Sequence, residues 1–297
     1  MPKTIIKKPI VSVLMPAYNS EKYIAESIES ILNQTFKDFE FIIINDGSTD
    51  NTANIVREYA ANDPRIKFID NKKNQGVAKI RNELLNAANG QYLAYQDSDD
   101  ISLPHRLKIQ VDFLDSHPDI SVVGAALECF PKYEKMDWIR NPKLLDFYFG
   151  NSVPNPVAML RKQDIDKYNL KYNETYQTCE DYDFWVRCVR FLKIHNLPNV
   201  LLKYRVLDNS LSHNNPNLEK YDKIIRDELI NSLTDNEMIK SKLSPKYNQY
   251  LFGFIPLFRI KRKRIYLFCF IPFLKLRGMW WNLFGIIPFI KNQGTKK

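Results

Sequence analysis

Tyr92-Leu93-Ala94-Tyr95-Gln96-Asp97-Ser98-Asp99-Asp100 is a short apolar run that stops in three carboxylates within four residues. Its first half has the length of a buried strand. Carboxylates crowded at a strand end repel one another, so they must be solvated, cap a helix or hold a cation. An acidic turn with Asn/Asp-type local hydrogen bonds satisfies the same residues. The flanking chain decides between these readings.

Upstream, residues 10–15 are β-branched and bounded by Pro16, as suits a buried first strand. The loop Ala17-Tyr18-Asn19-Ser20 follows, with Ser20 placed to cap a helix over 21–34, where Ile24, Ile28, Ile31 and Leu32 recur at helical spacing. A second strand over 39–44 ends in Asn45-Asp46-Gly47-Ser48-Thr49-Asp50, and Ile55, Val56 and Tyr59 mark the next helix. Residues 66–69 read as a short strand and 77–88 as a helix that leads into the acidic stretch. Alternation of this kind predicts an α/β fold whose sheet is mostly parallel and flanked by helices. Ligands of such sheets lie beyond the carboxyl ends of the strands. Residues 16–19, 45–50 and 97–100 therefore share one edge. No GxGxxG follows the first strand, which argues against a dinucleotide cofactor. Tyr18 could stack on a base and Asp46 accept its N–H. Equally, Tyr18 could be a core aromatic and Asp46 a turn residue before Gly47.

The chain has 297 residues, enough for one large domain or two smaller ones, and 44% hydrophobic with 26% charged residues is globular. Its net charge of +9 is uneven: residues 250–297 hold ten Lys/Arg and no Asp or Glu, which leaves the first 249 at −1. That removes the main support for a nucleic-acid partner. Cys129, Cys179, Cys188 and Cys269 form no CxxC pair, and no signal peptide is evident, so reduced thiols in a cytoplasmic protein are expected. No window reaches ~18 uninterrupted apolar residues, so no spanning helix is expected.

Downstream, Leu103-Pro104 opens a helix running to about Ser116, and residues 121–127 read as a strand. Residues 130–151 are aromatic and charged without clear period, and are expected to shape a cleft. Glu180-Asp181 begins a helix on which Asp181, Phe184, Trp185, Cys188, Val189 and Leu192 share one face. Acids in a first turn complement the helix dipole without any catalytic part. On that stripe, however, Asp181 should point toward a core-facing cleft. Residues 215–249 read as a helical, charged bridge after a first domain over 1–214. In the tail, 250–297, Leu251-Phe252, Leu267-Phe268 and Leu283-Phe284 recur every 16 residues, as do Pro256, Pro272 and Pro288. Proline-broken apolar units followed by basic residues predict an extension lying in a membrane interface, with Trp280 and Trp281 inserted and Lys/Arg on anionic headgroups. A small core or a dimer surface is the other reading of the same pattern.

Val11-Ser12-Val13-Leu14-Met15-Pro16-Ala17-Tyr18-Asn19, Asn45-Asp46-Gly47-Ser48-Thr49-Asp50, Arg81-Asn82 and Asp97-Ser98-Asp99-Asp100, in this order, resemble the successive signatures of the family 2 glycosyltransferases of the GT-A fold. The resemblance covers roughly residues 9–210. It implies that Pro16, Tyr18, Asp46 and Arg81, with Asn19 and Ser98 beside them, hold the nucleotide of a UDP-sugar. It places Asp97 near the ribose and sugar, and Asp99, with Asp97, on Mg²⁺ or Mn²⁺. Glu180-Asp181-Tyr182-Asp183-Phe184-Trp185 is similar to the family's Glu-Asp segment, which implies Asp181 as general base and brings Glu180 and Trp185 near the acceptor. Two positions depart from the pattern. Ile80 stands where Ala is usual, and Leu207 stands where many relatives carry a histidine on the metal or diphosphate, leaving Arg205 or His213 for the phosphate, although His213, among Asn and Ser, reads better as a solvent-facing loop residue.

The implied activity is inverting transfer of a hexose (Glc, Gal, GlcNAc or GalNAc) from a UDP-sugar to a bacterial surface glycan or lipid-linked acceptor, at the inner face of the plasma membrane. A catalytically silent nucleotide-sugar-binding scaffold is one alternative. A sugar nucleotidyltransferase is another, but it ordinarily needs a Gly-rich loop after the first strand, and residues 16–20 contain no glycine.

Overall fold

The computed structural model describes residues 8–132, 134–207 and 216–233, and in the tail the backbone of six short strand segments between 250 and 289. The chain divides into two compact units, 1–225 and 226–297. The expected boundary at 214/215 falls among residues outside the described ones, as does His213.

In the first unit, β1 (Val11–Ala17), β2 (Phe39–Asp46), β3 (Ile66–Asn71) and β4 (Tyr92–Tyr95) pair in parallel in the order β3-β2-β1-β4. Between them run α1 (Ile24–Leu32), α2 (Thr52–Asn62) and α3 (Val77–Ala87). The strands first advance from β1 to β3, and α3 then carries the chain back to the other side of β1. A topological switch point therefore lies between β1 and β4, where such sheets open a crevice at the strands' carboxyl ends.

Beyond β4 the sheet becomes mixed. β8 (Met159–Arg161) runs antiparallel to β4 and to β6 (Val122–Phe130), while β9 (Ile194–Arg205) runs parallel to β6 and closes on β5 (Ile101–Ser102). β7 (Glu134–Met136) pairs with β6 alone. Further along come α4 (Arg106–Ser116), α5 (Lys162–Lys167) and α6 (Glu180–Cys188).

β1 and β2 are almost wholly buried because helices cover both faces, which is why they read as continuous apolar runs. Val11, Val13 and Met15 pack with Ile24, Ile28 and Ile31 of α1, the stripe expected from the sequence. Helix α1 starts three residues later than its signal. The Ser20 hydroxyl does not cap it; it donates to the Tyr18 carbonyl and pairs with Ser98. The helix after the acidic stretch likewise opens at Arg106, because Ile101–Ser102 is taken into the sheet by β9.

α7 (Leu218–Leu233) lies within the stretch 215–249 read as a charged helical bridge, whose remainder, 234–249, falls outside the described residues. The tail expected to lie in a membrane interface falls largely outside the described residues; its described segments pair as short antiparallel strands: β10 (Tyr250–Leu251) with β11 (Ile255–Pro256), β12 (Phe258–Lys261) with β13 (Arg264–Leu267), and β14 (Trp280–Trp281) with β15 (Pro288–Phe289). Among the described residues, no helix is long and apolar enough to cross a membrane.

Candidate active site

The loops after β1 and β2 are knitted together by short polar side chains. Asn19, in the left-handed region at φ 48°, accepts the Thr49 N–H on its side-chain oxygen at 2.8 Å, and its own N–H donates to Ser48 Oγ at 3.0 Å. Asp46 is buried and accepts the Gln75 and Gly76 N–H groups at 2.7 and 3.0 Å, which draws the β3–α3 loop over the end of β2. Gly47 has φ +67°, and a Cβ there would meet the Lys73 backbone at 2.6 Å. Tyr18 is 48% exposed, so the core-aromatic reading fails and its ring is open to stacking. Pro16 is half-buried beside it.

The acidic turn after β4 is held from below and from the side. Gln96, fully buried, donates to Ser27 Oγ and to the carbonyls of Asp97 and Asp100. Arg106, also fully buried, donates to Gln96, Ser102 and the Tyr95 carbonyl at 2.9, 2.8 and 2.5 Å. Burial pushes Arg106 down to about 9, with Asp100 and Asp97 opposing that shift, so it keeps its charge at neutral pH. From the side, Arg205 donates its backbone N–H to Asp100 Oδ1 and its Nε to the Asp99 carbonyl, both at 2.8 Å. Its Nη2 reaches Glu26 at 2.5 Å, and its guanidinium lies over the rings of Tyr23 and Phe130. Arg205 thus braces the acidic turn.

The three carboxylates share the crowding unequally. Burial and the Asp97 charge push Asp99 up to about 6. Burial, then Asp99 and Asp97, push the fully buried Asp100 well above the ordinary range, and its Oδ2 has no partner among the described residues. Arg81 Nη2 lies 3.4 Å from Asp97 Oδ1. Among the described residues no cluster of three or more His, Cys, Asp or Glu is arranged to hold a metal. Two carboxylates at one strand end nevertheless fit a hard cation that takes the rest of its shell from water and phosphate oxygens rather than from a protein cage.

Arg81 is the hinge of the site. It projects from α3 with 8% of its side chain exposed and lies between Asp97 and Glu180, whose Oε1 is 3.6 Å from its Nε. Burial alone would lower its pKa, but Asp97, Tyr172, Glu180 and Asp181 outweigh that and hold it charged. Its guanidinium sits 5.9 and 5.5 Å from the rings of Tyr95 and Tyr172. The neighbouring Asn82 donates to the Tyr172 carbonyl and accepts its N–H, at 3.0 and 2.7 Å. The Arg-Asn pair therefore divides its work: Asn82 pins the segment leading to α6, and Arg81 meets the acids at its start.

At that start, Cys179 adopts φ 60° and turns the chain into α6. Asp181 is half-buried, accepting the Tyr182 N–H at 2.8 Å and the Asn151 side-chain amide at 3.0 Å. Burial raises its pKa, with Asp97 adding to the shift and Arg81 opposing it. Glu180 rises to about 7, by burial first and Asp181 next, against the lowering by Arg81. Trp185, expected near an acceptor, is fully buried against Tyr95 and Phe184, so it supports the floor and offers no surface. Its place on the same stripe as Phe184 and Cys188, both fully buried, explains this. Asn151 and Tyr172 were not singled out from sequence, and Asn82 was quoted only beside Arg81, with no part assigned to it. Asn151 ends an aperiodic stretch, and only its contact with Asp181 reveals it.

The family model described as Glycosyl transferase family 2 matches residues 12–180. An uncharacterized glycosyltransferase of Methanocaldococcus jannaschii is 40% identical over 220 residues, which span 69% of this chain and 74% of that protein. Another of Haemophilus influenzae is 36% identical over 237 residues, 74% of this chain and 73% of that protein. Among solved structures, S. aureus TarS 1-349 in complex with UDP-GlcNAc has a TM-score of 0.66 at 23% identity, covering 80% of this chain and 70% of that one. Mannosyltransferase PcManGT from Pyrobaculum calidifontis, in complex with GDP-Man and Mn2+, has a TM-score of 0.54 at 17% identity, covering 77% of this chain and 65% of that one. At those identities the two structures speak for the fold alone.

Proposed function

The chain belongs to glycosyl transferase family 2, and from that premise we propose that it transfers a hexose from a UDP-sugar to a hydroxyl of a bacterial surface glycan or lipid-linked acceptor, with inversion at the anomeric carbon. The observation that carries this reading is the position of Arg81 between Asp97 and Glu180, which joins the acidic turn after β4 to the first turn of α6. In this reading a donor-side and an acceptor-side carboxylate meet at one guanidinium.

In this reading Tyr18 stacks on the uracil, and Asp46, Asn19 and Ser98 shape the nucleoside pocket. Arg81 and Asp97 set the donor's position at the sugar. Bound through Asp99 and Asp97, Mg²⁺ or Mn²⁺ would supply positive charge against the charge that develops on the leaving diphosphate. Asp181 takes the proton of the acceptor hydroxyl as that oxygen bonds to the anomeric carbon and the bond to UDP breaks. Asn151 and the Tyr182 N–H orient the carboxylate and leave each oxygen a further lone pair. Burial raises its pKa, which makes it a stronger base than an exposed aspartate. In the second unit, the basic tail carries the enzyme to the anionic inner face of the membrane.

A panel of UDP-sugars, UDP-GlcNAc included, scored for metal-dependent UDP release with and without glycan acceptors tests the proposal. Release from one donor, stimulated by an acceptor, is expected. UDP binding without release from any donor would point to a silent scaffold.

A further inference from the structure

The stretch 130–151, which reads as aperiodic, places large apolar side chains in water. Leu145 and Phe149 are 49% and 43% exposed, although they flank Phe147 and Tyr148, which are buried. These four lie on one short 3₁₀ helix, Leu144–Phe149, fixed to α6 by the Tyr182 hydroxyl donating to the Phe147 carbonyl. The exposed side is therefore a held surface. At its far end, Lys143 and Leu144 face residues 189–194 across a cavity of about 210 Å³. There Phe191, 55% exposed, stacks on Tyr168 at 5.0 Å. The cavity lining contains Lys143, Arg190 and Lys193 and no carboxylate. Lys193 shares its charge with Asp119 at 3.2 Å, and Asp146 caps the 3₁₀ helix through the Lys143 N–H.

Exposed aromatic and aliphatic side chains ending in a cationic cavity match an anionic bilayer, in which acyl chains take the apolar groups and headgroup phosphates the bases. The position gives the surface a purpose. The 3₁₀ helix runs from the cavity to Phe149, two residues before Asn151, whose side-chain amide donates to Asp181. We propose that the exposed face of Leu144–Phe149, together with Phe191 and its cationic neighbours, docks the catalytic unit on anionic phospholipid, so that a lipid-linked acceptor reaches the base from the membrane side. The docking surface stands on exposure and charge; its link to acceptor delivery rests on the proposed transferase reading.

Hydrogen–deuterium exchange of the full-length protein tests it, with vesicles of phosphatidylcholine alone or mixed with phosphatidylglycerol. Peptides spanning 144–150 and 189–193 are expected to slow several-fold with the anionic vesicles only. In the double variant Leu145→Ser and Phe149→Ser that protection is lost, while UDP release with a water-soluble acceptor is kept. Protection confined to the tail would overturn the proposal, as would protection at 144–150 that grows with protein concentration without vesicles, the mark of a second copy. Failure of UDP release in the unaltered protein, with the exchange pattern intact, would instead count against the transferase reading.

Discussion

Arg81 Nε and Glu180 Oε1 lie 3.6 Å apart, both side chains withdrawn from solvent, and that Nε has no hydrogen-bond partner among the described residues. A buried N–H left unpaired costs about 1–3 kcal/mol. Donor binding can recover that energy by drawing the two together, or by placing a nucleotide oxygen on the Nε. Arg81→Lys keeps the charge and loses the fork that spans Asp97 and Glu180. UDP affinity, measured by calorimetry, is expected to fall by about 10- to 100-fold, the equivalent of one or two charge-assisted hydrogen bonds. Unchanged affinity would remove Arg81 from the donor pocket.

The raised carboxylates make the ligand-free protein sensitive to pH. Glu180 is protonated in the folded state up to about 7 against an ordinary value of 4.5. The folded chain therefore binds more protons than the unfolded one between those values, and stability falls as pH rises through that window. Asp99, pushed up to about 6, acts in the same sense. The lowered carboxylates, Asp63 and Asp70 among them, act below it, and His195, lowered by burial first, opposes it. Thermal unfolding across the window should show wild type losing more Tm with rising pH than Glu180→Gln. Parallel curves would contradict the assigned burial of Glu180.

Gly47→Ala should damage the donor pocket through the backbone. Its Cβ would press on the Lys73 and Asn74 backbone at 2.6–2.7 Å in a left-handed conformation. Strain of that kind costs about 1–3 kcal/mol before any clash is counted. Denaturant unfolding should register at least that loss, together with weaker UDP binding, because the loop that gives Asp46 its partners must move. A neutral result would mean that the turn is not held as described.

The parallel half of the sheet was legible because strands buried on both faces leave unbroken apolar runs, and because three of them end in polar residues at the same edge. The acidic turn was legible as chemistry, since three carboxylates in four residues demand a compensating partner. That partner was not. Arg81 meets Asp97 from 16 residues upstream, and Glu180 from 99 residues downstream meets the same guanidinium, a convergence set by tertiary packing. β9 and β5 went unread for a related reason. The 12-residue strand Ile194–Arg205 carries Asn196, Pro198 and Asn199, which depress the local strand signal, and its pairing with β6 overrides it. Trp185 shows the limit of a helical stripe: it locates the buried face but does not separate floor from lining.

Arg205 tests how the turn is held. Removing its side chain in Arg205→Ala frees the Asp99 carbonyl and Glu26, while the backbone bond to Asp100 remains. The expected result is weaker metal-dependent activity: the Mn²⁺ concentration for half-maximal UDP release should rise by about tenfold, one charge-assisted hydrogen bond's worth. UDP affinity without metal should change little. A change confined to metal-free UDP affinity would instead assign Arg205 to the nucleotide.

In the proposed reaction Asp181 removes the acceptor proton, opposite a donor held at Asp97 and Asp99. Asp181→Asn keeps the shape and the Tyr182 N–H contact but cannot take a proton. Single-turnover UDP release should drop by about 10²- to 10⁴-fold, the usual worth of a positioned base, while calorimetric UDP affinity stays at the wild-type value. Release within a few-fold of wild type, with that affinity intact, would contradict the account.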